Sequence, residues 1–459
     1  MFAVLSSCLR AGPRRIAAVA SLAWAACLLP VAGPAHAAGA QVPESGKAST
    51  AAANAPATVI VGVDLSLTGR ASVLGLQSRN AVRLWPTTLG GLPARYVVLD
   101  DGSDPARALA NMRAFTDAGD PADPADASGA PRGGVGGTKA TAEQPLAAGM
   151  TSGDTSTSLP RTDAVVGFVT TPLAQQVLPD AARTRTPLIV LAGAPSLVAP
   201  MDATRAWVFK MAQNDDAMAR ALVDDMARRG YHDVAFLGFD DAYGDGWRQA
   251  FGQAAAGKLR IVAQERYPRG AQSLVSQAQR VIAAHPAAVL VAATGADAVL
   301  PQRTLRERGY GGQVYQTHGI ATPDFLKDGE DDVEGTLFAA GPAMFARALP
   351  PGHPARPAAL AFADLYEGRY GRDTVTQFSA DAYGAWILLD RAVADVLRAG
   401  LRPGNEAFRV ALRKALEDTR GLAVPNGILN LSPIDHQGLG TDAAVMGAVR
   451  GGRYVYPPD

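Results

Sequence analysis

The chain of 459 residues has very little cysteine and no excess of charge of either sign. Both cysteines, Cys8 and Cys27, fall within the first 37 residues. Lysine plus arginine and aspartate plus glutamate number 43 each, which makes the formal net charge zero. A protein that holds nucleic acid through a broad basic surface carries a clear positive excess, so we expect no nucleic-acid partner.

Short enzyme signatures are also missing from the sequence. There is no Gly-x-Ser-x-Gly elbow, no Walker-type phosphate loop and no His-Glu-x-x-His metal motif. The six histidines show no metal-ligand spacing: His36, His232, His285, His318, His353 and His436. We therefore expect neither a catalytic site nor a metal site. Catalytic groups dispersed along the chain would escape such a search, so turnover of a bound ligand is the observation that would indicate an enzyme.

The N-terminus has the pattern of an export signal. Three arginines precede an apolar run at residues 16–31, and the small-x-small sequence Ala35-His36-Ala37 follows it. This pattern predicts a signal peptide at residues 1–37 that is cleaved after Ala37. A lipid anchor at Cys27 is the alternative. Residues 38–56 are rich in Ala, Ser and Pro and are typical of a flexible leader.

Cleavage after Ala37 would leave a chain without cysteine, which needs no disulfide and suits an oxidising compartment. No stretch after the signal is apolar over enough residues to span a bilayer. We therefore expect a protein that is free in the periplasm and is not membrane-embedded.

Strand-like and helix-like patterns alternate from residue 58 onwards. Apolar runs rich in Val, Ile and Leu predict buried parallel strands, first at residues 58–63, 96–99, 164–168 and 187–191 and then at 234–237, 260–265, 288–291 and 313–315. Amphipathic segments between these runs predict helices, and longer helices are predicted at residues 358–370, 379–399 and 407–416. Strands at 428–431 and 444–449 close the chain. The alternation restarts once, which predicts an α/β fold of two doubly wound parallel-sheet lobes.

One stretch interrupts this alternation. Residues 118–159 consist mainly of Ala, Gly, Asp, Pro, Ser and Thr, with no aromatic residue and no Ile. Such a segment cannot bury enough apolar area to offset the entropy lost on ordering. We expect a disordered surface insertion there, with a partner-binding loop as the alternative.

Six short motifs occur together in a characteristic order. They are Leu67-Thr68-Gly69, Asp100-Asp101-Gly102, Val166-Gly167-Phe168, Asp241-Ala242-Tyr243-Gly244, Tyr267-Pro268-Arg269-Gly270 and Asp435-His436-Gln437-Gly438. With this order and spacing, the chain from about residue 58 to its end resembles the type I periplasmic binding proteins of branched-chain amino acid ABC transporters.

The resemblance implies two lobes joined by a hinge, with a small molecule bound in the cleft between them. Lobe one is expected at residues 57–205 and 343–427, and lobe two at 206–342 and 428–459. The implied function is that of a monomeric substrate-binding component that delivers its ligand to the permease subunits of an ABC transporter. Other subunits would hydrolyse ATP, so no cofactor is expected here. The alternative is a periplasmic ligand sensor acting through a separate signalling partner.

Two groups of lobe-one residues are expected to hold a ligand carboxylate. In the family a small hydroxyl residue after the third strand does so, and Thr170 and Thr171 stand at that place. The Thr171-Pro172 helix start would also present free N–H groups and the positive end of a helix dipole. Its alternative role is to cap its own helix. The loop Ala192-Gly193-Ala194 occupies the second place, where a hydroxyl usual in the family is absent.

Four further residues are expected in the cleft by the same resemblance. Tyr243 matches a lobe-two aromatic that closes on the ligand, and Leu74 and Thr294 fall at positions that line the pocket. His318 stands near the place where amino-acid-binding relatives carry an acid that pairs with the ligand's ammonium group. Imidazole is a poor partner for a cation. We therefore hypothesise a carboxylate ligand without an α-ammonium group, or an amide, with a structural turn as the alternative role of His318.

Overall fold

The computed structural model describes residues 57–117, 150–152 and 159–456. The predicted signal peptide at 1–37 and the leader at 38–56 lie outside the described residues, as does most of the predicted insertion. Among the described residues, no helix combines the length and the apolar composition needed to cross a membrane.

The first sheet has seven strands in the described part of the chain. Its order is β2-β3-β1-β5-β6-β7, and β4 pairs with β3. The strands are β1 (Val59–Leu65), β2 (Thr88–Leu89), β3 (Leu92–Asp100), β4 (Met150–Ser152), β5 (Ala164–Gly167), β6 (Leu188–Val190) and β7 (Val208–Lys210). All neighbours are parallel except β2 and β3. Val61 and Val63 of β1 face one apolar core while Val97 and Val165 face another, so helices cover this sheet on both sides.

The second sheet has the order β16-β15-β12-β11-β10-β8-β9. Its strands are β8 (Asp233–Phe239), β9 (Arg260–Tyr267), β10 (Ala288–Ala292), β11 (Gln313–Gln316), β12 (Leu337–Ala340), β15 (Val445–Arg450) and β16 (Arg453–Val455). The five strands from β8 to β12 are parallel, and β15 and β16 add an antiparallel edge. A separate hairpin pairs β13 (Leu422–Val424) with β14 (Gly427–Leu429).

Eleven α-helices accompany the strands in the described residues. They are α1 (Ser72–Val82), α2 (Pro105–Thr116), α3 (Thr171–Arg183), α4 (Asp215–Arg228), α5 (Ala242–Ala255), α6 (Val275–Ala283), α7 (Val299–Glu307), α8 (Pro323–Gly329), α9 (Arg356–Tyr370), α10 (Gln377–Arg398) and α11 (Glu406–Glu417). Two parallel-dominated sheets with covering helices confirm the predicted α/β fold of two lobes.

Two predicted lobe boundaries differ from the sheet pairing. The first was placed between residues 205 and 206, yet β7 pairs with β6 and belongs to the first sheet. The last was placed between 427 and 428, but that position divides β14 inside its hairpin. The chain then stays beside the first sheet as far as His436, whose carbonyl oxygen accepts from Lys210 N–H at 3.0 Å. A three-residue strand and a short hairpin are too brief to show a periodicity in the sequence.

The predicted insertion at 118–159 also needs a correction. Residues 150–152 form β4, which pairs in parallel with residues 96–98 of β3. Disorder is therefore wrong for these three residues. Pairing with an existing strand satisfies the backbone N–H and C=O groups whatever the side chains are, so a segment of low hydrophobicity can still add a strand.

Candidate functional site

A cavity lies between the two sheets, where the carboxyl ends of several strands meet. It encloses about 370 Å³, part of which opens to solvent. Fifteen residues line it: Leu74, Val169, Thr170, Thr171, Leu191, Ala192, Gly193, Ala212, Tyr243, Arg269, Thr294, His318, Gly319, Phe378 and Asp381. Open α/β sheets commonly bind ligands beyond the carboxyl ends of their strands, so this cavity is the candidate ligand site.

Eight of the nine residues predicted from the sequence line this one cavity. They are Leu74, Thr170, Thr171, Ala192, Gly193, Tyr243, Thr294 and His318. Ala194 is the exception, because it is buried in the apolar core on one side of the first sheet and does not reach the cavity. The predicted loop therefore contributes two residues rather than three.

The start of α3 presents polar groups to the cavity. Thr170 is the N-cap residue, with φ −123° and ψ 148°, and its side chain makes no capping hydrogen bond. Thr171 is completely buried, and its Oγ1 has no hydrogen-bond partner among the residues that the structure describes. Neither hydroxyl is therefore engaged in capping the helix. A helix N-terminus with a free hydroxyl beside it is suited to bind a carboxylate.

The loop after β6 is packed closely against charged groups. A Cβ at Gly193 would lie 2.7 Å from Asp215 Oδ1 and 3.1 Å from His318 Nε2, so a larger residue does not fit without rearrangement. Lys210 Nζ donates to the carbonyl oxygens of Gly193 at 3.0 Å and Ala212 at 2.8 Å. These bonds fix the backbone that forms this wall of the cavity.

Burial changes the ionisation of the groups behind this wall. It lowers the pKa of Lys210 to about 8, although the negative charges of Asp215 and Asp381 act to raise this pKa. It raises the pKa of Asp215 to about 7, against the attraction of Lys210. The wall therefore rests on ionisable side chains that have lost most of their contact with water.

His318 lies in a short 3₁₀ turn (His318–Ile320) and also lines the cavity, so the two roles considered for it coexist. Burial first, and then the charge of Lys210, lowers its pKa to about 3. The imidazole is neutral near pH 7, and its Nδ1 has no hydrogen-bond partner within the described residues. A neutral ring at this place offers hydrogen bonds and no charge to a ligand.

Tyr243 presents an aromatic ring to the cavity and keeps its hydroxyl satisfied. The ring is only 4% exposed, and the hydroxyl shares a hydrogen bond of 2.8 Å with Thr317 Oγ1. Leu74 and Phe378 add apolar surface from the other lobe. The cavity thus combines an apolar part with a few polar groups, as small-molecule sites usually do.

The sequence analysis missed Asp381, an acid in the cavity wall. It belongs to α10 and accepts hydrogen bonds from Asn426 Nδ2 at 2.7 Å and Gln377 Nε2 at 3.1 Å. Burial raises its pKa to about 7, against the effect of these donors and of Lys210. An acid within a long amphipathic helix gives no signal of its position in a cavity.

Arg269 was also missed, although the motif that contains it was recognised. Its Nε donates to Asp241 Oδ2 at 2.6 Å, and its Nη1 donates to Thr294 Oγ1 at 3.2 Å. Its partner Asp241 does not line the cavity. The position of Arg269 directly after β9, at the carboxyl edge of the sheet, is the signal that could have identified it.

A family model described as periplasmic binding protein matches residues 161–453. An extracellular ligand-binding receptor from Rhodopseudomonas palustris HaA2 is 32% identical, with a TM-score of 0.73, over 87% of this chain and 99% of the receptor. A search of curated proteins finds no significant match.

More distant solved structures share the fold. A leucine-binding protein from Thermotoga maritima is 18% identical, with a TM-score of 0.65, over 87% of this chain and 98% of that protein. A branched-chain amino acid substrate-binding protein from Streptococcus pneumoniae, solved with isoleucine, is 16% identical, with the same TM-score, over 87% and 100% of the two chains.

Proposed function

Because this chain belongs to the periplasmic binding protein family, a family of binding proteins rather than enzymes, we propose that it is the substrate-binding component of an ABC transporter. In this proposal it binds a small carboxylate in the cavity between its lobes and delivers it to a membrane permease. The observation that carries the proposal is the N-terminus of α3, where Thr171 lines the cavity and its buried hydroxyl has no hydrogen-bond partner in the described part of the chain. A carboxylate oxygen satisfies both the hydroxyl and the helix N-terminus.

The polar groups of the cavity favour an acid without an α-ammonium group. His318 is neutral near pH 7 and cannot neutralise an ammonium ion. Asp381 is partly protonated near pH 7 without ligand, because burial raises its pKa to about 7. The distant relatives named for leucine and isoleucine share too little sequence to transfer their ligands.

Delivery requires a closed and an open state. Ligand would bind one lobe first and then stabilise the closed state, because only that state contacts it from both lobes. The closed surface would dock on permease subunits. The export signal predicted at residues 1–37 and the family membership both support a location in the periplasm.

The first experiment is a thermal-shift screen of the mature protein from residue 38. The panel contains branched-chain amino acids, aromatic and aliphatic acids, short dicarboxylates and amides. A ligand that binds only the native state raises Tm. We expect acids without an α-ammonium group to raise Tm. Stabilisation by leucine, isoleucine or valine alone would contradict the ligand class, and stabilisation by none of the panel would contradict the binding proposal.

A further inference from the structure

Arg269 has one part of its guanidinium group without a partner. Its Nε and Nη1 are engaged by Asp241 and Thr294, whereas Nη2 is buried and has no hydrogen-bond acceptor among the described residues. Arg269 lines the cavity from the second lobe. A buried charged donor without an acceptor is unfavourable, so an acceptor brought by a ligand would be bound strongly.

The neighbours of Arg269 hold it in one orientation. Asp241, which binds Nε, is itself fixed because its other oxygen accepts from the N–H groups of Tyr243 at 2.9 Å and Gly244 at 3.1 Å at the start of α5. The guanidinium carbon lies 4.0 Å from the centre of the Phe239 ring. The side chain is therefore held at its Nε edge and on one face. Rigid placement means that little entropy is lost when a ligand binds Nη2.

The other polar groups of the wall do not compete for this donor. Among the described residues that line the cavity, Arg269 is the one cation, since His318 is neutral near pH 7. Asp381 is already bound to Asn426 and Gln377. The second lobe therefore presents a single fixed positive donor to whatever fills the cavity.

We infer that Arg269 determines specificity, because its Nη2 donates a hydrogen bond to an acidic oxygen of the ligand when the lobes are closed. This inference rests on the proposed binding function and narrows its ligand class to solutes with an anionic oxygen facing lobe two. That oxygen belongs either to the carboxylate that α3 binds or to a second acid group of the same ligand.

The test compares acids with their uncharged primary amides by isothermal titration calorimetry. The pairs are benzoate and benzamide, isovalerate and isovaleramide, and succinate and succinamide. The mature wild type is compared with Arg269→Gln, Arg269→Lys and the control Arg266→Gln. Arg266 belongs to β9, three residues before Arg269, but it is exposed and pairs with Asp240 at 2.6 Å outside the cavity.

We expect the wild type to prefer acids and Arg269→Gln to reduce the acid-to-amide affinity ratio by about 10- to 100-fold. Arg266→Gln should keep the wild-type ratio. Arg269→Lys retains the positive charge and should keep part of the preference for acids over amides. A reduced ratio in this variant serves as the test if Arg269→Gln does not fold. If Arg269→Gln lowers the acid-to-amide affinity ratio for all three pairs, Nη2 binds the carboxylate that all the acids share. If it lowers the ratio for succinate alone, Nη2 binds a second acid group of the ligand.

Three results would overturn the inference while leaving the binding function intact. They are a wild type that binds amides as tightly as acids, Arg269 variants that keep the full acid preference, and variants that lose acid and amide affinity equally. The last result would mean that Arg269 only supports the fold of the cavity wall. A wild type that binds no acid or amide would instead overturn the proposed function, and this inference with it.

Discussion

Burial and ionisation are directly opposed at Asp381. Its side chain is 1% exposed and its pKa is raised to about 7. Between pH 4 and pH 7 the folded protein therefore holds a proton at this carboxyl that the unfolded chain has lost. This carboxyl lowers stability as the pH rises through that window, and its unfavourable contribution is complete above pH 7.

Asp381→Asn should therefore stabilise the protein increasingly as the pH rises. Asparagine resembles the protonated carboxyl and can still accept from Asn426 or Gln377, so the two proteins should be similar near pH 4. At pH 8 the variant should be the more stable, by at most about 4 kcal/mol, since each pKa unit corresponds to about 1.4 kcal/mol. Urea unfolding at pH 4, 6 and 8 measures the difference.

Asp364→Asn is the control for this pH series. Asp364 is exposed and pairs with Arg347 at 2.9 Å on the surface, so its replacement should change stability little at any pH. A constant difference between Asp381→Asn and wild type across the series would show that the buried carboxyl does not titrate in this window.

The N-terminus of α3 is the element on which carboxylate binding depends. Its free N–H groups come from the geometry of any helix, and here the Thr171 hydroxyl lies beside them in a residue that lines the cavity. This hydroxyl has no hydrogen-bond partner among the described residues, so it contributes little to the folded state without ligand. Function and stability can therefore be separated at this position.

Thr171→Val should weaken acid binding by about tenfold, because valine has the same shape without the hydroxyl that would bind a carboxylate oxygen. Its unfolding free energy without ligand should match wild type or exceed it slightly. Titration calorimetry and urea unfolding measure the two quantities.

Thr162→Val is a control that should change stability but not ligand affinity. The Thr162 hydroxyl donates to the carbonyl oxygen of Phe115 at 3.2 Å, away from the cavity, so this variant should lose stability and keep its affinity. Equal affinities of Thr171→Val and wild type would remove Thr171 from the binding site.

At the scale of the whole molecule, the two lobes approach each other closely beside the cavity. A Cβ at Gly295 of lobe two would lie 2.7 Å from Val73 Cγ2 of lobe one, and a Cβ at Gly270 would lie 2.2 Å from the Arg70 guanidinium. Glycine at 295 leaves room for the Val73 side chain, whereas the Arg70 guanidinium ends a flexible side chain that can move aside. A side chain at 295 would therefore oppose this approach of the lobes.

Gly295→Ala should hinder closure and lower ligand affinity by about tenfold or more, because the added methyl group meets Val73 only when the lobes are together. The double variant Val73→Ala with Gly295→Ala should recover most of the affinity. Titration calorimetry gives the affinities, and small-angle scattering with saturating ligand reports the radius of gyration.

Gly309→Ala controls for backbone strain in this experiment. Gly309 has φ +83°, against +57° for Gly295, and no atom lies within 4 Å of the position its Cβ would take. This variant should lose stability without losing affinity. If Gly295→Ala binds as tightly as Gly309→Ala, contact between Val73 and Gly295 does not limit closure.

Much of the fold could be predicted because buried strands and helices have a characteristic spacing of apolar residues in the sequence. The apolar run at 288–291 became β10, and the amphipathic segment at 379–399 became α10 with ends shifted by one or two residues. The family resemblance identified eight residues that line one cavity, which lies where the carboxyl ends of the parallel strands meet.

The elements and residues that the sequence analysis missed show no such local pattern. β7 is three residues long, and β4 lies in a segment of low hydrophobicity. Asp381 looks like any polar position of a long helix, and Arg269 looks like a turn residue. Their roles depend on which other segments pack beside them.

The sequence alone determined that this protein has two α/β lobes, because the spacing of apolar residues dictates helices and strands and these must bury their apolar faces. Only the tertiary structure decided where the chain crosses between the lobes and which polar groups meet in the cavity. Asp381 comes from a helix and Arg269 from a strand end more than a hundred residues away. Packing brings them to one cavity, desolvates them and thereby sets their charge and their free hydrogen-bonding groups.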